Sequence, residues 1–186
     1  MCSSDLAADA ASERVWVAAS VGPYGAVLGG GQEYVGNYGL SHRALVDFHR
    51  ERIEVMAAGA PDVFACETIP DLREVEALLE ALTAAPDIPA WITMSCRDGQ
   101  TTCAGQPIAG LVELTRGQDN VAAIGVNCTK PEFVTELLSE LRGEKPLVAY
   151  PNAGSVWDGE NRVWLGDGDQ VLPAVNRKST RLNSSH

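Results

Sequence analysis

The run Val121-Ala-Ala-Ile-Gly-Val-Asn-Cys128 constrains this chain more than any other stretch. Its first residues are all apolar or small and show no alternation, so neither face is built for water. A short run of that kind suits a parallel strand covered on both sides. Parallel neighbours must be joined by crossovers, usually helices. The run ends on Asn127 and Cys128, where a parallel strand delivers side chains into a site.

Similar runs recur along the chain. Arg14–Ser20, Val63–Pro70, Ala90–Cys96 and Pro146–Tyr150 read as further strands. Helical spacing falls between them. Ser41 reads as an N-cap, followed by Leu45, Phe48, Ile53 and Met56, with Gly59 as the stop. Leu72, Val75, Leu78 and Leu82 form a second apolar stripe, with Asp71 and Glu74 suited to the N-terminal end of its dipole. A third helix is expected around Ile108 to Leu114. A fourth begins at Pro131, with Phe133, Leu137, Leu138 and Leu141 along it. Trp157 to Leu165, with Asp158-Gly159 inside it, reads as a hairpin that could cover a site. The glycine-rich stretch from Val21 to Tyr38 is a long loop, open to two readings: a binding loop or plain surface.

Strands alternating with helices imply βαβ units and a parallel sheet. An open dinucleotide-binding sheet should carry GxGxxG between a strand and a helix, and a P-loop should carry GxxxxGK[ST]. The chain has neither. Instead, nearly every strand ends in a chemically active residue: Ser20, Glu67, Ser95 and Cys96, Asn127 and Cys128, Asn152. Functional groups spread over many strand ends are the habit of the (β/α)8 TIM barrel. The expected fold is therefore α/β, an incomplete barrel of about five βα units.

Composition narrows the function classes. A 45% hydrophobic and 21% charged chain of 186 residues is an ordinary globular domain. Its net charge of −11 argues against nucleic acid, which requires a basic face. No apolar run is long enough for a bilayer span, and no secretory signal is visible. Five scattered cysteines without a CxxC pair fit a reducing compartment, so the expected location is cytoplasmic. The tail Arg177–His186 is basic and serine-rich, like a translated adapter read-through, and residues 1–6 look similar. Both ends are read as foreign, leaving 7–176 as a partial barrel domain.

On the residues alone, Glu67 has two readings. Glu is rarely buried without a partner, so it is either a ligand for a substrate ammonium or a salt-bridged, capping carboxylate. His42 and His49 read as surface or packing residues.

Taken in order, Val17-Ala-Ala-Ser-Val-Gly-Pro-Tyr-Gly25, Gln32-Glu-Tyr-Val-Gly-Asn-Tyr38, Phe48-His-Arg50, Ala65-Cys-Glu-Thr-Ile-Pro70, Gly125-Val-Asn-Cys128 and Tyr150-Pro-Asn-Ala-Gly154 resemble the homocysteine S-methyltransferases. The likeness is strongest to the branch that uses S-methylmethionine or S-adenosylmethionine. It implies a zinc enzyme that transfers a methyl group from a sulfonium donor to the thiol of homocysteine, giving methionine. It implies that Cys128 is one of three cysteine ligands to Zn2+, the other two belonging to an adjacent pair in a C-terminal segment that this sequence lacks. It supports Glu67 as the partner of the substrate ammonium; Asn127 and Asn152 suit orienting the cysteine and substrate through amide hydrogen bonds, and Ser20 and Gly22 belong to a loop that could shape the donor pocket. Gly22 would serve by letting backbone approach closely. Cys96 is the one other cysteine placed to substitute as a ligand. Side chains alternate along a strand, so Cys66 should point away from Glu67. Two alternatives stand beside this reading: a metal-free binding homologue, and a barrel lyase or aldolase using Glu67 as base.

Overall fold

The computed structural model describes residues 15–152, together with the backbone of 156–158 and 163–165. Five strands form one parallel sheet: β1 Ala18–Val21, β2 Val63–Ile69, β3 Ala90–Met94, β4 Val121–Asn127 and β5 Leu147–Tyr150. Their spatial order is their sequence order. A doubly wound sheet reverses its order at a switch point, and this one does not. Right-handed crossovers then place the helices that join successive strands on the same side of the sheet.

Those helices are α1 Gly25–Leu28, α2 His42–Ala57, α3 Leu72–Ala81, α4 Gly110–Thr115 and α5 Pro131–Glu140. Ser41 caps α2, its hydroxyl accepting from Ala44 N at 3.2 Å. Helix α2 ends one residue before Ala58, and it is Ala60, not Gly59, that takes the left-handed backbone, at φ 48°. Asp71 caps α3, and Pro131 opens α5. The core lies between helices and sheet, with Ile53, Phe64, Leu78, Ile92, Leu111, Ile124 and Leu137 all at or near zero exposure. Gly125 lets β4 and β5 approach, because a Cβ there would collide with the Val148 carbonyl oxygen.

The sheet is curled. Tyr150 on β5 donates its hydroxyl hydrogen to Glu67 Oε2 on β2 at 2.8 Å. Three inter-strand steps would separate those strands by roughly 14 Å in a flat sheet. A direct bond between their side chains therefore needs a concave face, as in a barrel wall. Sequential order, parallel pairing and this curvature agree with the barrel reading.

Strand β1 starts later than expected, at Ala18, because Val17 N turns to the Asp62 carboxylate at 2.8 Å. The hairpin is present as β6 Val156–Asp158 and β7 Val163–Leu165, antiparallel, with Trp157 opposite Trp164. The tip beyond Asp158, the tryptophan side chains, the ends 1–6 and 177–186 and the boundaries at 7 and 176 lie outside the described residues. The long loop is not plain coil: it holds α1 and a 3-10 turn, Gln32–Tyr34.

Candidate active site

The C-terminal ends of the five strands bring polar groups onto the concave face. Glu67 is the hub on one side. Ser20 Oγ donates to its Oε1 at 2.5 Å, and Tyr150 donates to its Oε2. Tyr150 is held in turn by Trp91 Nε1 at 3.1 Å and by Thr93 Oγ1 at 3.0 Å. Burial pushes the Tyr150 phenol up to about 12, and its bond to Glu67 acts in the same direction. It therefore stays a proton donor at neutral pH.

Cys128 is the hub on the other side. The Asn127 amide clasps β2: its Oδ1 accepts from Thr68 N at 2.7 Å, and its Nδ2 donates to Thr68 Oγ1 at 2.8 Å. Both groups also face sulfur. Asn127 Nδ2 lies 3.3 Å and Thr68 Oγ1 3.5 Å from Cys128 Sγ. Thr68 and Cys128 both have left-handed backbones, at φ 63° and 47°. For a β-branched threonine that conformation is a genuine outlier, and such outliers gather where surrounding structure holds a functional geometry. Here Asn127 is that structure. The covalent bond between Glu67 and Thr68 joins the two hubs.

The 3-10 turn brings Tyr34 next to Cys128. Burial raises the Tyr34 phenol above its ordinary range, followed by the charge of Cys128 and a hydrogen bond with it. Part of the loop, at Tyr34, therefore lies beside Cys128.

The remaining expected residues take other places. Gly22 donates nothing to the site; its carbonyl accepts from Arg52 Nη1 at 2.8 Å. A Cβ at Gly22 would meet nothing within 4 Å, so no close approach within this chain requires glycine there. Asn152 ties its backbone N to Thr129 O at 3.0 Å. Among the described residues, no hydrogen bond reaches its side-chain amide.

Cys66 is fully buried in the core on the opposite side of β2 from Glu67, where burial pushes its thiol up to about 12. Cys96 is also a core residue, 7% exposed, with its thiol likewise pushed up to about 12 by burial. Among the described residues, no group of three or more His, Cys, Asp or Glu could hold a metal ion. Cys128, with two donors aimed at its sulfur, is suited to being a thiolate ligand, but the described residues do not complete a metal site. His49 is not at the surface. It is fully buried, its Nε2 2.9 Å from Glu74 Oε1, which also accepts from Tyr24 N. His42 is exposed and faces Glu80.

Sequence reasoning missed Thr68, Tyr150, Trp91, Thr93 and Tyr34. Trp91 and Thr93 did carry a signal, since they alternate with buried Ile92 and Met94 on β3. The reach of Tyr150 carried none, because it depends on curvature.

A curled parallel sheet with a carboxylate and a cysteine at its strand ends places the chain in the class of barrel enzymes. The comparisons with known proteins specify it further: a family profile described as homocysteine S-methyltransferase matches residues 2–177, and the chain belongs to that family. It is 43% identical over 157 residues to homocysteine S-methyltransferase 1 of Zea mays, covering 82% of this chain and 49% of that protein. It is 41% identical over 166 residues to the homocysteine S-methyltransferase of Escherichia coli, covering 88% of this chain and 54% of that protein. The metallated crystal form of the E. coli homocysteine methyltransferase MmuM matches at TM-score 0.72 and 42% identity, over 82% of this chain and 54% of that one. The chain thus spans about half the length of the relatives it matches.

Proposed function

We propose that the complete protein transfers a methyl group from a sulfonium donor, S-methylmethionine or S-adenosylmethionine, to the thiol of homocysteine, acting in the cytoplasm with 7–176 as part of its barrel. The observation that carries this reading is the pairing of Glu67 and Cys128 on adjacent stretches of one concave face, joined through Thr68 and Asn127. An amino-acid thiol offers an ammonium and a sulfur, and the two hubs offer a partner for each.

The reaction balances simply. The substrate thiol loses its proton, and its sulfur electron pair forms a bond to the methyl carbon. The bond from methyl to donor sulfur breaks, and its electrons leave a neutral thioether. A free thiol is mostly protonated at neutral pH. A thiolate-bound Zn2+ would supply acidity, since it deprotonates a coordinating thiol; Cys128 is the residue of this chain we assign to it. Asn127 and Thr68 hold that sulfur by N–H and O–H donation. Glu67 binds the ammonium and fixes one end of the substrate, so that the reacting sulfur is presented in line. Ser20 holds Glu67 from β1. Gly22 and Asn152 are assigned to the substrate site by the family resemblance; among the described residues, nothing lies within 4 Å of a Cβ at Gly22 and no hydrogen bond reaches the Asn152 side-chain amide.

A lyase or aldolase would want a lysine at a strand end. Lys145 instead bonds Gln118 O at the opposite end of the sheet, and Lys130 lies over the Phe133 ring. A metal-free homologue has less support, since the similar E. coli enzyme has a metallated form.

The test uses the full-length protein, assayed with both sulfonium donors. Cys128→Ala should remove most of the bound zinc and the activity; full zinc occupancy would refute its role. Glu67→Ala should weaken homocysteine binding while zinc is retained, and an unchanged affinity would sink that assignment.

A further inference from the structure

Tyr150 stands out among the groups that the reading above does not use. It lies on β5, yet its carboxylate partner among the described residues is on β2. Its oxygen receives Trp91 Nε1–H, a group that can only donate. Thr93 Oγ1 lies on the same oxygen at 3.0 Å. A phenolic oxygen has two lone pairs and one proton. With Trp91 and Thr93 donating to the lone pairs, the proton has one place to go, Glu67 Oε2. Ser20 meanwhile occupies Oε1. Both carboxylate oxygens are thus fixed by neutral donors from opposite edges of the described sheet. Neutral donors orient the carboxylate without cancelling its charge, so its remaining lone pairs stay available to a cation.

We propose that Tyr150 is a positioning residue which, held by Trp91 and Thr93, aims the Glu67 carboxylate at the substrate ammonium and so sets the preference for an amino-acid thiol over the same thiol lacking its amino group. This rests on the assignment of Glu67 to the ammonium. A tyrosine that merely filled space would affect all thiols alike. One that aims Glu67 should matter only to a thiol carrying an ammonium.

The experiment compares homocysteine with 4-mercaptobutyrate, which lacks the amino group, as acceptors for the full-length, metal-loaded enzyme. Tyr150→Phe should lower kcat/KM for homocysteine about tenfold, as expected for one lost hydrogen bond to a charged group. It should leave 4-mercaptobutyrate and the KM of the sulfonium donor unchanged. Thr93→Val should give a smaller loss of the same selectivity, and it serves as the test should Tyr150→Phe fail to fold. Glu67→Gln should abolish the preference, and adding Tyr150→Phe to it should cause no further loss. Equal losses for both thiols, or additive losses in the double variant, would overturn the role of Tyr150 while leaving Glu67 in place. An unchanged preference in Glu67→Gln would overturn the ammonium assignment, and the role of Tyr150 with it.

Discussion

Asn127 shows how much one side chain can carry at a strand end. Its amide satisfies the Thr68 backbone N–H, bonds the Thr68 hydroxyl and faces Cys128 Sγ, while 1% of its surface is exposed. Two left-handed, non-glycine residues depend on it. Replacing it with alanine leaves the Thr68 N–H without its partner and frees two unfavourable backbone conformations. Each unsatisfied buried polar group costs about 1–3 kcal/mol. Asn127→Ala in the full-length protein is therefore expected to lose about 2–4 kcal/mol in a denaturant melt. A loss under about 0.5 kcal/mol, the range of ordinary surface changes, would show that the clasp is not structural. The identity of Asn127 as a site residue was legible, since a polar residue closes an otherwise apolar strand. Its partner was not: Thr68 lies 59 positions away.

At the scale of elements, the start of α3 joins three loops. Asp71 caps the helix through Arg73 N, accepts from Asn37 N at 3.1 Å and Gln106 Nε2 at 2.7 Å, and pairs with the Arg73 guanidinium. Burial alone would raise its carboxyl. Hydrogen bonds from Arg73, Gln106 and Asn37 outweigh that and hold it below the ordinary carboxylate range. A carboxyl with a depressed folded value contributes stability above its unfolded value, about pH 4, and loses it as the pH falls through the folded value. The denaturation midpoint of Asp71→Asn should therefore depend less steeply on pH below about pH 4 than that of the parent. Parallel midpoint-against-pH curves for the two proteins would contradict the linkage. The sequence showed Asp71 and Glu74 as a matched pair of early helix acids. Packing separated them: Asp71 caps the helix, while Glu74 is buried against His49 and the Tyr24 backbone. Helical spacing placed them on α3, and only the neighbouring loop and α2 decided what each would meet.

For the whole molecule, the described sheet has two edges, β1 and β5. Trp16 beside one edge is 71% exposed, and Leu147 on the other is 39% exposed. Open strand edges flanked by apolar groups are templates for further pairing. The 186-residue chain made alone is therefore expected to self-associate, with light scattering rising at micromolar concentration. A monomeric chain with one cooperative unfolding transition would disprove this. Among the described residues, no helix is long and apolar enough to cross a membrane.

The sequence by itself determined the five strands, the helices that join them and their order. Periodicity and capping are local, and local physics suffices to read them. Ser41 and Pro131 start their helices as expected, and the apolar run from Val121 forms β4. Only the tertiary structure decided which strand ends meet. The bonds from Tyr150 to Glu67 and from Asn127 to Thr68 cross 83 and 59 positions, and they exist because the sheet curls. Curvature is a property of several strands together, so no single stretch of sequence carries it. The run that ends at Cys128 announced a cysteine at a strand end, and folding supplied the amide and the hydroxyl that face its sulfur and the tyrosine beside it.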